Sequence, residues 1–224
     1  KEKKKRFLSL FFAGLGIFIA YLLLTFKDIL LVYSGSAKVP GSSFGMNVWW
    51  LGLNHPRFLN LHLPENIIYL SSILSFVMVF LIFAGGIFFS MRTSGTSHLR
   101  QGEYLDSFRT AAGIYIGCYL VITNMDYRLI FLLFAIPQLV LWSYNKARGF
   151  SPAPLVTLSA ILFSLWSTFI MRFLDRKATF VLEEFSNWII FTGLTCLFLV
   201  SVPDWFSDYW RRPLSRIRLF SKSA

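Results

Sequence analysis

"ENIIYLSSILSFVMVFLIFAGGIFFSMR", residues 65–92, sets 26 uncharged residues between Glu65 and Arg92. Wound as an α-helix, a run of that length rises by about 39 Å, more than the roughly 30 Å of hydrocarbon in a bilayer. The rest of the chain has the same character. Its 224 residues are 55% hydrophobic and 18% aromatic, with a mean hydropathy of +0.59, outside the usual range of soluble domains. Lipid is the solvent this composition implies.

Five further stretches between charged residues have comparable character: Phe7 to Phe26, Thr110 to Met125, Leu129 to Asn145, the run between Arg148 and Arg172, and Phe185 to Pro203. Helices satisfy all their backbone groups in lipid without closing a barrel, so the expected fold is all-α, a polytopic transmembrane bundle of about six spans. With Lys1 placed inside, 15 of the 22 Lys and Arg fall on the cytoplasmic side, among them Lys3, Lys4, Lys5 and Arg6. That bias puts both termini in the cytoplasm. It also accounts for the net charge of +11 through topology and anionic headgroups, so no nucleic acid is expected as a partner.

Cys118 and Cys196 fall within predicted spans and read as small apolar side chains, since neither stands in a metal-ligand spacing. The lysine-rich start runs straight into the first apolar stretch with no small-residue cleavage site, which reads as a span rather than a removable signal. A start on Lys1 instead of Met suggests a piece of a longer protein.

No repeat interrupts residues 1–224, and a single transmembrane domain is expected. Its longest connection, residues 33–66, is rich in Gly, Ser and Pro yet carries Phe44, Trp49, Trp50 and Phe58, which argues for an ordered outer loop lying on or dipping into the leaflet. Trp49 and Trp50 fit either an aromatic belt at headgroup level or a ledge for a lipid substrate. His55 and His62 lack an acidic or thiol partner, so no metal is expected. The tail, residues 204–224, alternates Trp205, Phe206, Tyr209 and Trp210 with Arg211, Arg212, Arg216 and Arg218, an interfacial cytoplasmic segment.

The most informative polar group lies in "NMDYRLIFLLFAIPQLV", residues 124–140. Only 16 uncharged residues separate Arg109 from Asp126, and 17 separate Arg128 from Lys146. Each span then reaches about 24–26 Å, short for a bilayer. Gly113 and Gly117 form a small-xxx-small pair expected to pack on the fourth span, making Asn124 to Arg128 a tight outer turn. Two readings of that turn stand. Asp126 and Arg128 can pair at the water boundary. Alternatively Arg128 holds a phosphate by forked hydrogen bonds while Asp126 orients it and Tyr127 adds a stacking face. Pro137 should kink the fourth span by releasing the Leu133 carbonyl.

"FRTAAGIYIGCYLVITNMDYRLIFLLFAIPQLVLW", Phe108 to Trp142, resembles the C-terminal part of bacterial integral-membrane glycosyltransferases of family 87 type, relatives of the polyprenyl-phosphate-mannose-dependent transferases of the GT-C superfamily. The "DYRL" turn and the "PQL" that follows carry the likeness, and the lysine-rich start, long span and outer "SSFG" loop agree in order. The resemblance implies a bacterial plasma-membrane enzyme that transfers sugar from a polyprenyl-phosphate donor on the outer face, with membrane lipid as partner and no cofactor. It also implies an acidic base in an early outer loop; no residue here matches it, so the catalytic carboxylate is expected upstream and this chain as the C-terminal half. Were the chain complete, Asp28 and Glu65 are the candidate bases. Asp175, Arg176, Lys177, Glu183 and Glu184 read as a solvated outer cluster or a polar subsite. A small-solute transporter and a non-enzymatic scaffold are the alternatives.

Overall fold

The computed structural model describes residues 43–92, 97–121, 124–145, 149–150, 152–170 and 172–202, together with positions 9, 12, 13, 16, 17, 19–21 and 23–28. The chain divides into two compact units, Lys1–Lys38 and Val39–Ala224. In the first, the described residues are helical apart from a turn at Thr25. The Thr25 amide and hydroxyl both donate to the Tyr21 carbonyl, at 2.9 and 2.8 Å. Phe12, Ile17, Leu23 and Leu24 are exposed there, and so is Asp28.

The second unit is built from α1 (Val48–Asn54), α2 (Glu65–Arg92), α3 (Leu105–Val121), α4 (Ile136–Ser143), α5 (Pro152–Ile170) and α6 (Arg176–Ser201). Two 3-10 stretches, Ser97–Arg100 and Asp126–Phe134, join them. Two minimal antiparallel ladders complete the described elements: β1 (Ser43–Phe44) on β2 (Asn124–Met125), and β3 (Tyr144–Asn145) on β4 (Gly149–Phe150). Among the described residues, two helices are long and apolar enough to cross a membrane, α2 over Tyr69–Ser90 and α6 over its full length. The apolar part of α5, Pro152–Ser167, is shorter.

The central element is α6, against which α2, α3 and α5 all pack. Phe83 meets Phe191 edge-on at 6.0 Å and the Ser90 hydroxyl donates to the Leu199 carbonyl at 3.3 Å, so α2 runs parallel to α6. α5 runs the other way, with Ser167 beside Glu183 and Thr157 beside Gly193. A Cβ on Gly193 would lie 2.0 Å from Thr157 Oγ1, so only glycine allows this approach of the two helices. α3 is also antiparallel, from Arg109 at Ser201 to Tyr119 at Trp188. The core between these helices includes Phe108, Tyr115, Tyr119, Leu139, Ile161, Ile190, Phe191 and Leu194.

Both ends of α6 are capped by side chains, which matters because terminal backbone groups lack helical partners. At its start the Asp175 carboxylate accepts from the amides of Lys177 and Ala178, at 3.0 and 3.4 Å. At its finish Arg100 Nε donates to the Val200 carbonyl at 3.3 Å, and the Arg109 guanidinium donates to the Ser201 carbonyl. Two cations at a helix C-terminus also oppose its negative dipole end.

Three sequence expectations are corrected here. The fourth span is not one helix over Leu129 to Asn145. It is a 3-10 helix to Phe134, then α4 with Pro137 in its first turn, then the edge of a ladder. Proline has no N–H to continue an α-helical ladder, so the chain winds tighter before it and restarts after it. Gly113 and Gly117 do not meet the fourth span: a Cβ at either would touch nothing within 4 Å. The buried face of α3 instead presents Phe108, Ala111, Ala112 and Tyr115, with Phe108 edge-on to Trp142 at 4.7 Å. Finally, Asn124 to Arg128 is not an isolated turn, because Asn124 and Met125 pair with Phe44 and Ser43 of the distant loop.

Candidate functional site

The loop expected over residues 33–66 is described from residue 43 onward. Asn54 closes its far end: the side chain donates from Nδ2 to the Leu63 carbonyl at 2.8 Å and accepts the Leu63 amide at 2.7 Å. Inside that clamp α1 lies against the start of α6. Gly52 faces Phe180 so closely that a Cβ would sit 1.9 Å from the ring, Trp49 stacks on the same ring at 6.2 Å, and Phe58 tilts onto it at 4.8 Å. On its other side α1 reaches α2, where Trp50 Nε1 donates to Ser75 Oγ at 2.6 Å.

Beneath α1 runs an open groove of about 1080 Å³. Its floor is α6, from Phe185 through Trp188, Thr192 and Cys196 to Val200; α2 and the start of α5 form its sides, and Trp49 and Trp50 close one end. Phe185 and Val200 are fifteen positions apart on α6, which makes the groove about 22 Å long. Two of its few polar groups are already engaged: Ser75 accepts from Trp50, and the Thr157 hydroxyl donates to the Ala153 carbonyl at 2.8 Å. A groove of this size and surface accepts hydrocarbon and offers a polar solute almost nothing.

The opposite face of α6 is different. Glu183 and Glu184 are buried, at 2% and 0% exposure, which corrects the expectation of a solvated cluster. Asp175 caps the helix, Arg176 and Lys177 are exposed, and the two glutamates lie two turns further along, inside the bundle. Glu183 accepts from Ser167 Oγ at 2.8 Å, Ser164 Oγ donates to Asn187 Oδ1 at 3.3 Å, and the Tyr115 hydroxyl donates to the Asn187 carbonyl at 3.4 Å. The cap at Asp175 was the signal for this. A helix starting at Arg176 carries residues 183 and 184 into the interior, whereas the apolar run alone starts at Phe185. The groove lining recurs at 185, 188, 189, 192 and 196, so the carboxylates face away from it.

Of the sequence-predicted site, Trp49 and Trp50 line the groove. The backbone of Asp126, Tyr127 and Arg128 opens the 3-10 helix directly after β2, at the end of the bundle where β1 leads into α1. The side chains of these three residues lie outside the described residues, as do residues 204–224 and the side chain of Glu65. His55 and His62 bond locally, His55 Nδ1 accepting the Arg57 amide at 3.2 Å and His62 Nδ1 lying 2.9 Å from the Asn60 carbonyl. Among the described residues no three His, Cys, Asp or Glu group as a metal site. Cys118 and Cys196 are half-buried. No protein-family model matches the chain, and neither a curated protein nor a solved structure matches it.

Proposed function

We propose that this protein binds a lipid phosphate in the membrane and serves as the C-terminal part of a glycosyltransferase using a polyprenyl-phosphate sugar on the outer face of a bacterial plasma membrane. The groove carries the reading. It is lined by carbon, lies along a helix able to cross a bilayer, and ends at two tryptophans on the same side as the Asp126 to Arg128 elbow. The donor's hydrocarbon chain lies along α6. Its phosphate meets Arg128, with Asp126 orienting the guanidinium and Tyr127 at the sugar. Transfer is an inverting displacement: the acceptor hydroxyl forms the new bond to the anomeric carbon, the bond from that carbon to the phosphate oxygen breaks, and the lipid phosphate leaves with the electron pair. The hydroxyl proton passes to a carboxylate in a segment preceding this chain.

The test is transfer of labelled mannose from a synthetic polyprenyl-phosphate donor by the full-length protein in nanodiscs, comparing wild type with Arg128→Ala. A large loss of turnover is expected; unchanged turnover removes Arg128 from the site, and absence of transfer in the wild type removes the enzyme reading.

Glu183 and Glu184 favour a second reading, transport of a small solute or ion, because ionisable groups buried within a membrane span mark conduction pathways. Flux in proteoliposomes that vanishes in Glu184→Gln supports it, and no flux above empty vesicles excludes it.

A further inference from the structure

The short helix α1 bridges the end of the groove with two unlike attachments. Toward α6 it is seated by packing: Gly52 against Phe180, with Trp49 and Phe58 on the same buried ring. Toward α2 it packs as well, and there Trp50 Nε1 donates to Ser75 Oγ at 2.6 Å. Both Trp50 and Ser75 belong to the groove wall, so whether that bond is made decides whether the wall is continuous there. The chain on either side of α1 is anchored, and before it the Met46 amide donates to the Tyr119 carbonyl at 3.2 Å. Gly45, at a φ of 148°, precedes it, and after it the Asn54 clamp and the left-handed residues Asn60 and His62, at 51° and 52°, gather the return to α2 into a compact loop. A packed aromatic seat on the α6 side and a neutral hydrogen bond on the α2 side make a hinge and a latch.

We propose that α1 is a lid on the groove, hinged at Phe180 and latched by Trp50 on Ser75, and that opening the latch admits the hydrocarbon chain of a membrane lipid. This deepens the lipid-phosphate reading of the groove and rests on it. The lid opens at the end beside the β1–β2 ladder, so the elbow at Asp126 and the latch are joined through a single strand pair. Loading of the chain and positioning of the elbow are then parts of one movement.

The test follows uptake of a pyrene-labelled polyprenyl phosphate by the full chain in nanodiscs, read as energy transfer from the groove tryptophans. Ser75→Ala removes the acceptor, and Trp50→Phe keeps an aromatic ring while losing the N–H; each is expected to speed both uptake and release about three- to tenfold. In the converse experiment Trp50→Cys and Ser75→Cys, on a Cys118→Ala and Cys196→Ala background, are joined by a reducible bis-thiosulfonate linker. Uptake then slows at least tenfold and recovers with reductant. Normal occupancy with unaltered rates in the two point variants, or in the linked protein, overturns the latch alone. Absence of occupancy in the wild type overturns the groove reading and the latch with it.

Discussion

The hydroxyl of Ser167 on α5 donates to Oε1 of Glu183 on α6 across 2.8 Å, and both residues are buried. The carboxyl group is therefore held by a neighbouring helix. Ser167→Ala strips one donor from a buried acceptor, which costs about 1–3 kcal/mol, more than the roughly 0.6 kcal/mol of an average interhelical bond in a membrane bundle. Ser167→Thr keeps the hydroxyl and should lie near wild type. Thermal midpoints in detergent check both, and an unshifted midpoint in the alanine variant refutes the prediction.

At Gly193 the expected sign runs against helix propensity. Gly→Ala inside an exposed helix usually stabilises by about 1 kcal/mol, but here the new methyl collides with Thr157. Gly193→Ala should lower stability by about 1–3 kcal/mol, as overpacking does, and Thr157→Ala in the same molecule should recover part of the loss. Additive losses in the double variant would show that the two sites do not touch.

Arg109→Met retains much of the apolar stem and removes the donor to the Ser201 carbonyl. A loss of about 1–2 kcal/mol is expected, and Arg109→Lys should restore a portion through charge alone. Hydrogen exchange localises the effect: amides in the last turns of α6 exchange faster in the methionine variant, while those around Thr179 do not.

Asp175→Ala removes the opposite cap and should cost about 0.5–2 kcal/mol, with Asp175→Asn close to wild type because either side chain can accept the two amides. Equal losses in the two variants would assign the effect to charge instead of capping.

Filling the groove separates its role from that of the bundle. Thr192→Trp should cut retention of a polyprenyl phosphate, measured by native mass spectrometry of the purified protein, at least tenfold, with the circular dichroism spectrum unchanged. Full retention of the lipid would mean that it binds somewhere else.

The all-helical character and the longest helix were legible in the sequence, because an apolar run between charges gives the helix its length. Glu65 to Arg92 is one helix at both ends, as its bounding charges indicate. What escaped was anything decided by neighbours. Glu183 and Glu184 looked like the boundary of a span because a carboxylate in a sequence carries no record of the serine that will face it. Gly113 and Gly117 carried the right spacing for close packing, yet the close contacts formed at Gly52 and Gly193, where the partners are a phenylalanine and a threonine far away in the chain. The groove was invisible for a related reason: residues lining it and residues facing lipid obey the same apolar rule. Trp49 and Trp50 could be singled out, but not the clamp, the ring of Phe180 or the hydroxyl of Ser75 that place them.

The tight winding from Asp126 to Phe134 lengthens the segment it occupies. Nine residues at 3-10 pitch extend about 18 Å, where α-helical pitch would give about 13.5 Å. Together with Ala135 and the eight residues of α4, the contour comes to about 31 Å. Coiling, and not residue number, thus sets how far this segment extends. At ordinary α pitch the same nine residues would be about 4–5 Å shorter, so the 3-10 winding fixes how far Asp126, and the strand β2 before it, stands from α4.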